Sequence, residues 1–216
     1  MRMRIACRVA LVVAVGALLV SCTATVQEDE SIGSEEASGT TARQQLIEVW
    51  EDHMAGEFAT KSVEDTMATM IEGAHINHVP TMTGGTGLDA IAAFYGTHFI
   101  PRIPSDTETV LVSRTVGDNQ IVDEMIFKFT HTIEMDFMLP GIEPTGKAVE
   151  VPLVAIIGFR EGKVSHEHIY WDQASVLAQI GLLDADTLPI AGAVTAHKVL
   201  DPNLPSNTLI ERVAER

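Results

Sequence analysis

The sequence predicts an α+β domain, a cone-shaped α+β barrel in which three N-terminal helices pack on a curved, mainly antiparallel sheet and a C-terminal helix closes the end. Three observations carry that prediction. Between residues 41 and 100 apolar side chains recur at three- and four-residue intervals. From residue 107 to 172 the period switches to two, as in strands with one buried face. At Gln173 a Leu-rich helical pattern resumes. Helices laid across the concave side of such a sheet enclose a cavity, and polar residues inside otherwise apolar strands become candidates for its lining.

Leu46, Ile47, Trp50, His53, Met54 and Phe58 mark one face of the first helix. A second spans 63–71, opened by Ser62 as N-cap with Asp65 three residues on. "AHINHVP" is a short strand closed by Pro80, and "TMTGGTG" is a turn-rich connection. The third helix carries Leu88, Ile91, Ala92, Tyr95 and Phe99 and ends at Pro101 and Pro104. Strands follow at 107–116 and 120–137, joined by a tight "GDN" hairpin, then at 148–160 and 163–172, joined by "REGK". The last helix, 173–181, stops at Gly181. The domain therefore covers 41–184, and 185–216 form a C-terminal extension along its surface with a weak helical pattern around 190–199.

The beginning of the chain predicts export. A basic start, "MRMRIACR", precedes the apolar run "VALVVAVGALLV", too short for a membrane-spanning helix, which needs about 20 apolar residues. Leu19-Val20-Ser21-Cys22 resembles a bacterial lipobox. Residues 1–21 then form a signal peptide, Cys22 is the lipidation site, and the acidic 22–40 segment is a flexible spacer holding the domain at the bacterial cell envelope. Only two cysteines occur, Cys7 and Cys22, so the domain has neither a disulfide nor a thiol nucleophile. Thirty acidic side chains face 14 basic ones, for a formal charge of −16. This balance excludes nucleic acid as a partner and leaves the lipid anchor as the membrane attachment, since both polyanions require basic patches.

"SHEHIYWDQ" at 165–173 concentrates the chemistry. In a regular strand His166, His168, Tyr170 and Asp172 share one face. A carboxylate beside an imidazole can shuttle protons near neutral pH, and a tyrosine can stabilise an enolate oxygen. The same alternation means that a single bulge turns Glu167, Ile169 and Trp171 inward instead. His-x-His also presents two metal-type donors, with His131 and His78 as available third ligands, but the sequence fixes none and no metal or other cofactor is predicted. Trp50, His53, His78, His131 and Trp171 are the predicted ligand-contact residues.

The segments "HINHVP", "GTGLDAIAAFYGTHFI", "PGIEPTGKAVEV" and "REGKVSHEHIYWDQASVLAQIGLL", in this order, resemble the SnoaL-like, polyketide cyclase-like branch of the nuclear transport factor 2-like superfamily over residues 42–184. The resemblance implies the cone fold, a small apolar or carbonyl-containing ligand and homodimerisation. It implies an acid/base role for Asp172 at the end of the last strand. The assisting histidine of those cyclases falls near Gly158 here, which leaves His166 and His168 to take its part. The expected activity is cofactor-independent acid/base chemistry of a cyclase, isomerase, dehydratase or lactone hydrolase, with Asp172, His168, His166 and Tyr170 as the catalytic group. A non-catalytic ligand-binding or protein-interaction module is the alternative.

Overall fold

The computed structural model describes residues 30–214; the signal segment and Cys22 lie outside the described residues. Helix α1 runs Glu30–Met54 and continues into a π turn, Ala55–Ala59. Its start extends the predicted helix back into the acidic segment. Helix α2, Val63–Ala68, has Ser62 as its N-cap, the hydroxyl accepting from the Asp65 amide at 3.1 Å. Strand β1, Met70–His78, pairs with a short glycine-rich strand β2, Thr83–Thr86, where the sequence suggests only a turn. Helix α3, Leu88–Phe94, passes into a second π turn, Tyr95–Phe99, and a 3-10 turn, Ile100–Arg102.

Strands β3 (Glu108–Val116), β4 (Gln120–Thr130), β5 (Ala148–Arg160) and β6 (Lys163–Trp171) form the predicted meander. The β5–β6 turn holds Glu161 and Gly162 at φ of 56° and 71°, the left-handed pair that matches strand twist in a two-residue hairpin. The sheet order is β2-β1-β6-β5-β4-β3. All neighbours are antiparallel except β1 and β6, which run parallel. The helices pack on this curved, unclosed sheet as the fold class requires, with α1 against β4 and β6 and α4 (Gln173–Gln179) against β5.

β4 ends seven residues before the predicted limit of 137. The ladder stops there because Asp106 accepts the Thr130 amide and the His131 amide bonds Lys147 O at 2.9 Å. The freed segment turns in, so that Met135, Phe137, Met138 and Leu139 are each 2% exposed or less. Thr81 and Thr83 both donate to Phe137 O at 2.8 Å and hold that segment across the mouth of the cone. Helix α4, Gln173–Gln179, closes the domain, with Gly181 following at φ 85°. In the extension, α5 (Val194–Leu200) lies against β5 with Ala196 buried, and α6 (Thr208–Ala214) is a helix that the sequence pattern did not predict. Among the described residues no helix is long and apolar enough to cross a membrane.

Candidate functional site

The strand that ends in "HIYWD" contains a bulge. Gly158 pairs with His166 and Phe159 with Val164, so Ser165 is an extra residue on β6. Val164 and Glu167 therefore both face the core, at 0% and 3% exposure, where a regular strand would bring Val164 and His166 to one side. Ile169 and Trp171 follow Glu167 inward. His166, His168 and Tyr170 point to the opposite side of the sheet, Tyr170 with 41% of its surface exposed.

Asp172 is likewise outside the cavity. It is the N-cap of α4, accepting from the amides of Ala174 and Ser175 at 3.0 and 3.3 Å and from Ser175 Oγ at 2.6 Å. Its carboxylate is committed to the helix start. The arrangement predicted for Asp172, His168, His166 and Tyr170 thus does not assemble around the cavity, and the bulge is the physical reason.

The cavity lies between α1, the two π turns and the inner face of the sheet. It offers about 50 Å³ to the centre of a water-sized molecule, and its wall is almost wholly apolar. Of the predicted ligand contacts, Trp50, His78 and Trp171 line it. His53 sits one layer behind the wall, and His131, though buried, does not line it and reaches Thr145 instead. Glu57, Glu167 and Tyr95 are the ionisable groups in the wall besides His78.

These residues meet at the His53 ring. Its Nδ1 lies 2.7 Å from Thr69 Oγ1, and Thr69 donates its own proton to Thr66 O at 2.7 Å. The Thr69 oxygen can then only accept, which places a proton on His53 Nδ1. Nε2 lies 2.9 Å from Tyr95 Oη, 3.1 Å from Glu167 Oε1 and 3.4 Å from Glu57 Oε1. Tyr95 donates to Glu167 Oε1 at 3.1 Å. Trp50 stacks on His53 with centroids 5.3 Å apart, and is itself fixed by Nε1–H donation to Asp123 at 2.8 Å, a carboxylate gripped by Arg114.

Burial opposes charge on His53, yet the Glu167 and Glu57 carboxyl groups outweigh it and push its pKa up to about 10. Burial raises Glu57, with His53 only partly opposing. Glu167 is also penalised by burial, but its contact with His53 prevails and lowers it. Tyr95 is raised by burial and by both carboxyls, and stays a phenol. The His53 imidazolium thus favours the charged form of Glu167 while burial favours the neutral form of Glu57, so two carboxyl groups of opposite tendency stand side by side in a dry pocket. His78 behaves oppositely: burial holds it down to about 4, so its ring is neutral, and its Nδ1 has no protein partner. Phe94, Phe99, Phe137 and Trp171 surround that ring.

Both π turns deliver a site residue, Glu57 from the first and Tyr95 from the second; such turns are enriched at functional sites. Glu57 was absent from the sequence expectation, and Glu167 entered it only as a residue that a bulge would turn inward. The available signals were the four-residue spacing from His53 to Glu57, which puts both on one helix face, and the carboxylate of Glu167 in line with Ile169 and Trp171. Ligand atoms of His53, Glu57 and Glu167 also lie within 4.8 Å of one another, a set that could hold a divalent cation.

A family model for SnoaL-like polyketide cyclases matches residues 40–180. The chain belongs to the SnoaL-like family. No curated protein matches this SnoaL-like chain in sequence. Solved structures are similar in fold. A SnoaL-like protein from Jannaschia sp. CCS1 is 20% identical with a TM-score of 0.51, covering 65% of this chain and 94% of its own. TsrD from Streptomyces laurentii is 16% identical, TM-score 0.51, covering 66% and 97%. AclR from Streptomyces galilaeus is 14% identical, TM-score 0.52, covering 66% and 88%. At such identities the likeness is one of fold, and the SnoaL-like scaffold with an internal cavity fits a small-molecule-binding role.

Proposed function

We propose that this SnoaL-like domain binds a small, largely apolar carbonyl compound in its cavity and moves a proton on it. Glu167 is the base and Glu57 the acid. Glu167 takes the proton from the carbon next to the carbonyl while Glu57 delivers its proton to the carbonyl oxygen, giving an enol. Return of the two protons, to a different carbon or after bond formation, yields an isomerised or cyclised product. His53 does not touch the ligand; it holds Glu167 ionised and is itself held by Thr69. Tyr95 fixes the Glu167 oxygen, and His78 offers its unpartnered nitrogen to a polar group of the ligand. The observation that carries this reading is the His53–Glu167–Glu57–Tyr95 cluster exposed to an otherwise apolar pocket. Met54, Met125 and Met138 in the wall can give way to ligands larger than the present space.

The test needs no knowledge of the natural substrate. Small cyclic ketones, enones and β-dicarbonyl compounds are incubated with protein in deuterated water, and exchange of the protons beside the carbonyl is followed by NMR. Exchange by the native protein that vanishes in Glu167→Gln supports the enzyme. Ligand binding with no exchange by any compound supports a binding module. Export, anchoring through Cys22 and pairing of two copies remain part of the proposal. A palmitate label on Cys22 that is lost in Cys22→Ala, and a dimer in sedimentation, are the corresponding expected results.

A further inference from the structure

Three imidazoles gather on the side of the sheet opposite the cavity, and the proton-transfer site uses none of them. His75 on β1 pairs with His166 on β6 in the parallel register, and His168 stands opposite Asn77 two residues along. His75 Nε2 and His168 Nε2 are 3.1 Å apart. The His166 ring stacks on His75, with centroids 5.3 Å apart and planes 15° apart, and its centroid is 4.8 Å from that of His168. All three are half-buried, so the cluster is open to solvent. The neighbouring strand makes room for it: a Cβ at Gly158 would fall 2.1 Å from His166 Cε1 and 2.3 Å from His166 Nδ1. The ring lies across the bare glycine.

The nitrogen separation is the informative quantity. Two ligands each about 2.0–2.1 Å from a zinc-like ion are roughly 2.9 Å apart at a right angle and roughly 3.4 Å apart at the tetrahedral angle. The observed 3.1 Å falls inside that interval. The separation therefore suits a single ion shared by the two rings in place of the proton between them. The strongly acidic chain further favours an approaching cation.

We propose that His75 and His168 bind a divalent transition-metal ion such as Zn²⁺ on the outer face of β1 and β6, with His166 turning from its stack to supply a third nitrogen. The third donor that the His-x-His spacing lacks comes from His75 and the parallel β1–β6 pairing, rather than from His78 or His131.

Tag-free, metal-stripped protein is titrated with Zn²⁺ by calorimetry, with circular dichroism confirming that each variant is folded. One equivalent binds to the native protein. His75→Gln and His168→Gln each weaken binding by at least about tenfold, because each removes one of two or three ligands. Gly158→Ala, which crowds His166, weakens it less. Glu57→Gln and Glu167→Gln leave it unchanged. In a second measurement on the native chain, Ni²⁺ broadens the NMR signals of His75 and His168 before those of His53. Absence of binding, or binding lost in Glu167→Gln and retained in His168→Gln, overturns the proposal; the latter result places the ion at the cavity carboxylates instead.

Discussion

The two faces of β6 carry similar chemical groups in opposite surroundings. Inward, Glu167 sits among Ile169, Trp171 and the aromatic wall, away from water and in contact with a buried imidazolium. Outward, His166, His168 and Tyr170 stand half-buried or exposed, and among the described residues no carboxylate is hydrogen-bonded to either imidazole. A charge in the first setting costs several kcal/mol unless paired, so its partners are obligatory and its protonation is set by the fold. A charge in the second is shared with solvent and is worth little to stability. The difference teaches that composition alone does not locate a proton-transfer site; a dry, mutually compensated group does.

The sharpest break of this comparison is Glu167→Gln, which removes the proposed base. Catalysed proton exchange falls by about 10²–10⁴-fold, whereas His168→Gln leaves it within a factor of two or so. Next is stability. His53→Leu leaves the Glu167 carboxylate buried without its cation and lowers the unfolding free energy by about 3–5 kcal/mol in urea titration at pH 7. The outer-face His168→Gln shifts it by no more than about 0.5 kcal/mol.

The pH profile sharpens the same contrast. The pKa of His53 is about 10 in the folded chain against 6.5 unfolded, so the folded state holds an extra proton between those values. That contribution is complete below about pH 6.5 and declines as pH rises through about 10. Glu57, also raised, acts in the same direction above its unfolded value of 4.5. Glu167, lowered, contributes stability above 4.5 that is lost as pH falls. Thermal denaturation from pH 7 to 10 therefore shows a falling melting temperature, by more than about 5 °C, and a much flatter profile in His53→Gln. The smallest effect belongs to the cap: Asp172→Ala costs about 1 kcal/mol by removing acceptors from the first turn of α4, and Asp172→Asn costs less because asparagine also caps.

The fold was legible because its elements carry strong periods. Leu46, Trp50 and His53 mark a helix face, the 120–130 stretch alternates cleanly, and Ser62 and Gly181 punctuate helix ends. Short elements whose residues name a turn, such as "TGGT" in β2, were not legible, since pairing with β1 overrides their local preference. The site was half legible. Trp50, His78 and Trp171 are large or polar residues in apolar patterns, and they do line the cavity. Which side of β6 faces inward depends on one extra residue, Ser165, and a bulge of this kind leaves no mark in composition. Glu57 was hidden for another reason: a glutamate near the end of an amphipathic helix reads as solvent-facing, and the π turn that swings it inward is a tertiary effect.

The most direct measurement sets Glu167→Gln beside Asp172→Asn in the proton-exchange assay with a ketone that the native protein turns over. Both are near-isosteric replacements of a carboxylate by an amide, one inside the cavity and one at the helix cap. The account predicts that exchange is lost in Glu167→Gln and retained in Asp172→Asn. Exchange that survives in Glu167→Gln and disappears in Asp172→Asn contradicts it.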